Sequence, residues 1–271
     1  MHTRPITDSN EAKGKIQQSR RLPVLWPWIL VGGAWTTALL AILFHQTQLI
    51  DHHYLLEESH LPWLAALVLF LAGWQFMTVG MMLPSSMPMV YMMVYASRKQ
   101  PRPVAVQAAF LGGYALVWTG FACAAFLGDT QIHRLVDSWP WLALHSWLIG
   151  ATTLAIAGMF QFTPLKERCL KQCRSPFGFF VRYYRQGVGA AWRLGVRHGA
   201  FCLGCCWVLM LVMFGLVVGS LVSMALLTGV MVIEKSVPGG QRLSQVIAII
   251  LLGLSALWLA HPAWLLGGIE V

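Results

Sequence analysis

The sequence predicts an all-α fold, a polytopic helical membrane bundle of seven spans with a cytoplasmic N-terminus. Three observations predict it. Only 11% of the 271 residues are charged and 57% are hydrophobic, whereas a soluble domain carries about 25% charged residues. Apolar runs of about 20 residues, the length that crosses the hydrocarbon core of a bilayer, recur along the chain. Lys and Arg collect in alternate connections between those runs, as they do in cytoplasmic loops. This composition excludes a soluble globule, a disordered chain and a secreted disulfide scaffold.

The polar segment at 1–22 precedes a transmembrane domain at 23–271. The first span, Val24 to Phe44, is too long for a signal-peptide core and lacks a small-residue cleavage site. The second runs from Pro62 or Trp63 to about Ala96 and contains Pro84 and Pro88. Each proline removes a backbone donor, so the spacing predicts a bent helix or a broken inner end. The third covers Val104 to Leu127 and the fourth Trp141 to Phe162. The apolar stretch from Phe201 to Ile233 makes two spans if Gly219-Ser220 forms a turn, and one if it does not. The total is then seven or six. The last span covers Leu243 to Ala260.

The head carries Arg4, Lys13, Lys15, Arg20 and Arg21, the next inner connection Arg98, Lys99 and Arg102, and a basic loop at 163–200 eight more, from Lys166 to Arg197. The opposite side, 45–62 and 129–140, holds Arg134 alone. That asymmetry predicts the cytoplasmic (inner) membrane, with the basic face against anionic lipid heads. The net charge of +9 then has the lipid bilayer as its partner, with no call for nucleic acid. Seven spans would also put Lys235 and Arg242 inside. Trp26, Trp28, Trp63, Trp139, Trp141 and Trp264 lie near span ends as interfacial anchors, and Gly215-x-x-x-Gly219 is a helix-packing motif.

Sulfur carries the chemistry. Five of the six cysteines form two groups on the inner side, Cys169 with Cys173 and Cys202 with Cys205 and Cys206. The cytoplasm is reducing, so free thiols are expected. A spacing of four places Cys169 and Cys173 on one helical face, and His198 joins Cys202 and Cys205 or Cys206 if their helix begins before Gly199. Two such faces meeting at the membrane boundary would supply four soft ligands for Cu(I), with zinc as the other thiolate-preferring ion. The second span adds Met77, Met81, Met82, Met87, Met89, Met92 and Met93, thioethers that favour Cu(I) and desolvate cheaply. The same residues also serve as core filler, and Cys123, alone in an apolar helix, reads as filler. His45, His52, His53, His60 and His133 fall on the outer side, with His145 and His261 at span ends. No Asp, Glu, Lys or Arg lies deep in a predicted span, which disfavours a proton-driven transporter. No nucleotide-binding loop or hydrolase motif occurs, so no enzymatic activity is expected.

Three segments carry a family resemblance: Trp74-x-x-Met77-x-x-x-Met81-Met82-Leu83-Pro84, Gln161-x-Thr163-Pro164-Leu165-Lys166-x-x-Cys169-x-x-x-Cys173-Arg174, and His198-Gly199-x-x-Cys202-Leu203-Gly204-Cys205-Cys206-Trp207. Together, from about Gly73 to Gly240, they resemble a bacterial family of predicted metal-binding integral membrane proteins, a domain of unknown function with a copper-chaperone-like label. Gly80 stands where the family pattern has Ala, and Phe160 where it has Tyr; neither touches a sulfur position. The resemblance implies metal binding.

The expected function is Cu(I) handling (binding, transfer or transport) by Met77, Met81 and Met82 within the bilayer and by Cys169, Cys173, His198, Cys202, Cys205 and Cys206 at its inner face. A copper-carrying or copper-receiving protein would be the partner. The alternatives are a non-catalytic membrane assembly factor and a membrane thiol redox protein.

Overall fold

A computed structural model describes residues 25–44, 62–145, 147–215, 221–237 and 240–260. The described residues form helices and turns, with no strand among them. The helices are α1 (Trp26–Leu43), α2 (Trp63–Ser97), α3 (Pro103–Ser138), α4 (Pro140–Leu144), α5 (Trp147–Phe160), α6 (Pro164–Arg174), α7 (Pro176–Tyr183), α8 (Val188–Gly215), α9 (Leu221–Ser236) and α10 (Gly240–Ala260). Among the described residues, four helices are long and apolar enough to cross a membrane: α2, α3, Val188–Met213 of α8 and Arg242–Ala260 of α10. A fifth arises if α5 and α6, bent by 65°, count as one broken span. At 16 residues, α9 is shorter than the about 20 that an upright crossing needs.

Several elements differ from the sequence expectation. Of the two forms expected for the second span, its inner end is unbroken, one helix running through both prolines. Pro84 cannot donate to the Gly80 carbonyl one turn back, and the Trp35 indole N–H of α1 takes that carbonyl at 3.2 Å. An alanine at position 80 would also fit, its Cβ 3.6 Å from that of Ala34. The third span continues to Ser138 through a segment expected as a loop. There His133 bonds back to the Asp129 carbonyl at 3.0 Å, one turn earlier. The fourth span is interrupted at His145, whose Nδ1 lies 2.7 Å from the Trp141 carbonyl oxygen. The basic loop expected at 163–200 is instead α6, α7 and the start of α8. Thr163 caps α6, its Oγ1 accepting from the Lys166 N–H at 3.3 Å, and Pro164 supplies the first turn.

The head at 1–22, His45, His52, His53, His60, His261, Trp264 and the Gly219-Ser220 turn lie outside the described residues, as does half of Gly215-x-x-x-Gly219. Trp28, Trp63, Trp139 and Trp141 are exposed, whereas Trp26 is half-buried against the core.

The bundle is organised on α8. Its most extensive partner is α3, and α6 and α5 also pack on it; α10 lies along α5, α2 along α3, and α9 fits between α2 and α10. Small residues let α8 approach α3 closely. A Cβ on Gly195 would collide with the Phe110 carbonyl oxygen, and one on Gly113 with that of Trp192. Backbone meets backbone at that seam, as in membrane helix pairs built on small residues.

Candidate metal centre

Six of the sulfur positions share one buried cluster. Met81, Met82, Cys169, Cys202, Cys205 and Cys206 lie in the same core, with Met77 and Cys173 packed against it. The start of α8 at Val188 puts Cys202, Cys205 and Cys206 well inside a formed helix. There Cys205 and Cys206 both direct their thiols at the Cys202 carbonyl, at 3.0 and 2.8 Å. All six cysteines are free thiols.

Residues from distant stretches meet on this turn. Cys173 Sγ of α6 is 3.9 Å from Cys205 Sγ. Cys206 Sγ is 3.7 Å from Met82 Sδ of α2. Cys169, one turn before Cys173, presses on α8 at Gly204, where a Cβ would stand 2.6 Å from its sulfur. Glycine at 204 is therefore what admits the α6 thiols. Metal–sulfur bonds are about 2.3 Å long, so two sulfurs 3.9 Å apart can grip one soft ion between them. Among the described residues no three His, Cys, Asp or Glu side chains are grouped to hold a metal. The single four-ligand cage expected from the sequence is thus replaced by sulfur pairs.

His198 stands apart from these pairs. Its buried ring stacks against Tyr114 and Phe110, with centroids 5.6 and 6.1 Å away, and meets the edge of Phe179. Its Nε2 is buried without a hydrogen-bond partner. Cys123 is half-buried and outside the sulfur cluster. His133 and His145, the histidines expected on the outer side that fall among the described residues, each bond to a carbonyl one turn earlier.

Sequence reasoning missed the charges. Lys166, Glu234 and Lys235 are buried, although their positions at span ends read as loop charges. Lys166 Nζ donates to both carboxylate oxygens of Glu234 at 2.9 Å and also to Gln161 Oε1. Ser244 Oγ donates to Glu234 at 2.9 Å, and Arg174 Nε donates to the Glu234 carbonyl at 2.7 Å. The next residue, Lys235, turns the other way. Its ammonium lies 3.3 Å from Cys202 Sγ and 2.9 Å from Ser85 Oγ. Tyr114 OH completes the surroundings of Cys202 at 3.2 Å. The available signals were the Glu234-Lys235 pair directly abutting an apolar stretch, and Gln161 with Lys166 inside a recognised segment.

The arrangement gathers thiols and a thioether in an apolar interior beside one ammonium, a donor set suited to a soft ion of low charge. No curated protein and no solved structure matches the chain. A family model described as "PpoB2: Copper chaperone" matches residues 71–258, which include every sulfur named above. That match covers well over half of the chain, which therefore belongs to the PpoB2 copper chaperone family.

Proposed function

We propose that this chain is a membrane-embedded, non-enzymatic Cu(I) carrier that takes copper as cargo on sulfur pairs and exchanges it with a copper-carrying or copper-receiving protein. One observation carries the reading: thiols more than thirty positions apart in sequence, Cys173 and Cys205, stand 3.9 Å from each other. The Cys206–Met82 contact beside them offers a neighbouring thiol–thioether pair. Thioethers hold Cu(I) without adding charge, so the Met side of the centre can pass the ion through an apolar layer. The proposed setting is the inner membrane with seven spans, the N-terminus and the α6–α7 basic face inside. The orientation is supported by the Lys and Arg distribution, and membrane insertion by the four described helices, five with the bent pair, that are long and apolar enough to cross; the remaining crossings rest on the sequence pattern.

The test is anaerobic Cu(I) loading of the detergent-purified protein, with bound copper measured per chain and affinity measured against a chromophoric Cu(I) chelator. The Cys173→Ser/Cys205→Ser double variant is expected to lose the tightly held copper. Unchanged copper content would remove the thiol pair from the reading.

The same two free thiols favour one competing reading, a disulfide that closes between α6 and α8. Alkylating the protein at the moment of cell lysis separates the two. A copper carrier holds Cys173 and Cys205 reduced, and a redox protein shows them oxidised in a substantial share of molecules.

A further inference from the structure

Among the described residues, the thiol centre contains a buried ammonium that no carboxylate answers. Lys235 is buried, and its two polar contacts are Ser85 Oγ and Cys202 Sγ. Cys202 is the residue whose carbonyl receives the thiols of Cys205 and Cys206, so the ammonium stands beside the same turn of α8. Among the described residues, the buried carboxylate nearest in sequence, Glu234, has both oxygens held by Lys166. α2, which faces the centre from the other side, has no charged residue along its length. The guanidinium of Arg197, further back on α8, lies over the Tyr183 ring. Lys166 and Glu234 cancel, and Arg174, half-buried, donates to the Glu234 carbonyl, so Lys235 is the buried charge left beside the sulfurs and, among the described residues, no carboxylate offsets either cation.

From this charge count we infer that Lys235 makes the centre selective for a monovalent soft ion over a divalent one. The inference rests on the copper reading above and adds its specificity-determining residue. Two thiolates around Cu(I) carry one negative charge, which the Lys235 ammonium cancels. Two thiolates around Zn(II) are already neutral, so the ammonium would remain in the apolar interior without a counter-charge. Buried net charge is strongly disfavoured. An ammonium acting on one unit charge a few ångströms away, at the effective dielectric of a protein interior, is worth on the order of a hundredfold in binding. Lys235 touches no cargo in this account. It acts through the thiols as a positioning residue for charge.

The experiment measures Cu(I) and Zn(II) affinities of the full-length detergent-purified protein, wild type against Lys235→Met and Lys235→Arg. Lys235→Met is expected to lower the preference for Cu(I) over Zn(II) by about a hundredfold, by weakening Cu(I) binding. Lys235→Arg keeps the charge and is expected to restore most of the preference. A merely structural lysine would shift both affinities alike and leave their ratio in place. If Lys235→Met does not fold, Lys235→Gln, which keeps a donor toward Ser85, carries the same expectation. An unchanged ratio in a wild type that binds Cu(I) overturns the inference and leaves the copper reading standing. A wild type that takes up no Cu(I) overturns both.

Discussion

The indole N–H of Trp35 donates to the Gly80 carbonyl at 3.2 Å, the carbonyl that Pro84 leaves without a helical partner. One helix thereby repairs the hydrogen bond missing in another, and the sulfur-bearing turn at Met81 and Met82 is held just past the repair. Trp35→Phe keeps the ring and removes the donor. It is expected to destabilise the fold by about 1–3 kcal/mol, the cost of an orphaned buried acceptor. Thermal unfolding in detergent checks this, with Trp28→Phe, at an exposed bond to Tyr91, expected to change little.

Removing one member of the Lys166–Glu234 pair leaves the other charge buried and uncompensated. Lys166→Met or Glu234→Leu alone is expected to cost about 3–5 kcal/mol. The double variant should recover much of that loss, because both charges leave together. A double-mutant cycle on denaturant midpoints checks the recovery. Two additive losses would mean that the pair does not interact.

The sulfur geometry ranks the cysteines. Cys173→Ser and Cys205→Ser are each expected to weaken Cu(I) binding about tenfold or more, because each breaks the closest thiol pair. Cys169→Ser should do less, since its sulfur packs on Gly204. Cys123→Ser should do nothing. Chelator competition on the four single variants gives the order.

At Gly195 a methyl group meets backbone, which cannot move aside. Gly195→Ala is expected to separate α3 from α8 and cost several kcal/mol, or about 1–3 kcal/mol with full relaxation. Gly189→Ala, with open space at its Cβ, should be neutral or slightly stabilising. Expression yield and unfolding temperature compare the two.

For the proposed orientation, a cysteine placed at Arg134 should react in intact cells with a maleimide that cannot cross membranes. One placed at Lys99 should react after lysis alone. Both positions are exposed, so access is set by the side of the membrane.

The helical fold was legible because a run such as Trp63–Ser97 has no polar residue able to end it. The meeting of Cys173 with Cys205 was legible in outline, from spacing of four on one stretch and of three and four on the other. The buried charges were not. Lys166 and Lys235 sit at the ends of apolar runs, where sequence alone cannot distinguish a charge facing water from one folded inward. The 65° turn between α5 and α6 decides the matter by laying Lys166 against α9. The extension of α3 to Ser138 was hidden for a related reason: Asp129 and His133 look like loop residues until their shared helical face is seen.

At Gly113 and Gly195 the backbones of α3 and α8 press on each other, while the Cys206–Met82 contact lies toward α2. The close joint fixes α8 against a rigid neighbour, so the thiol-bearing turn is set by a backbone that cannot slide.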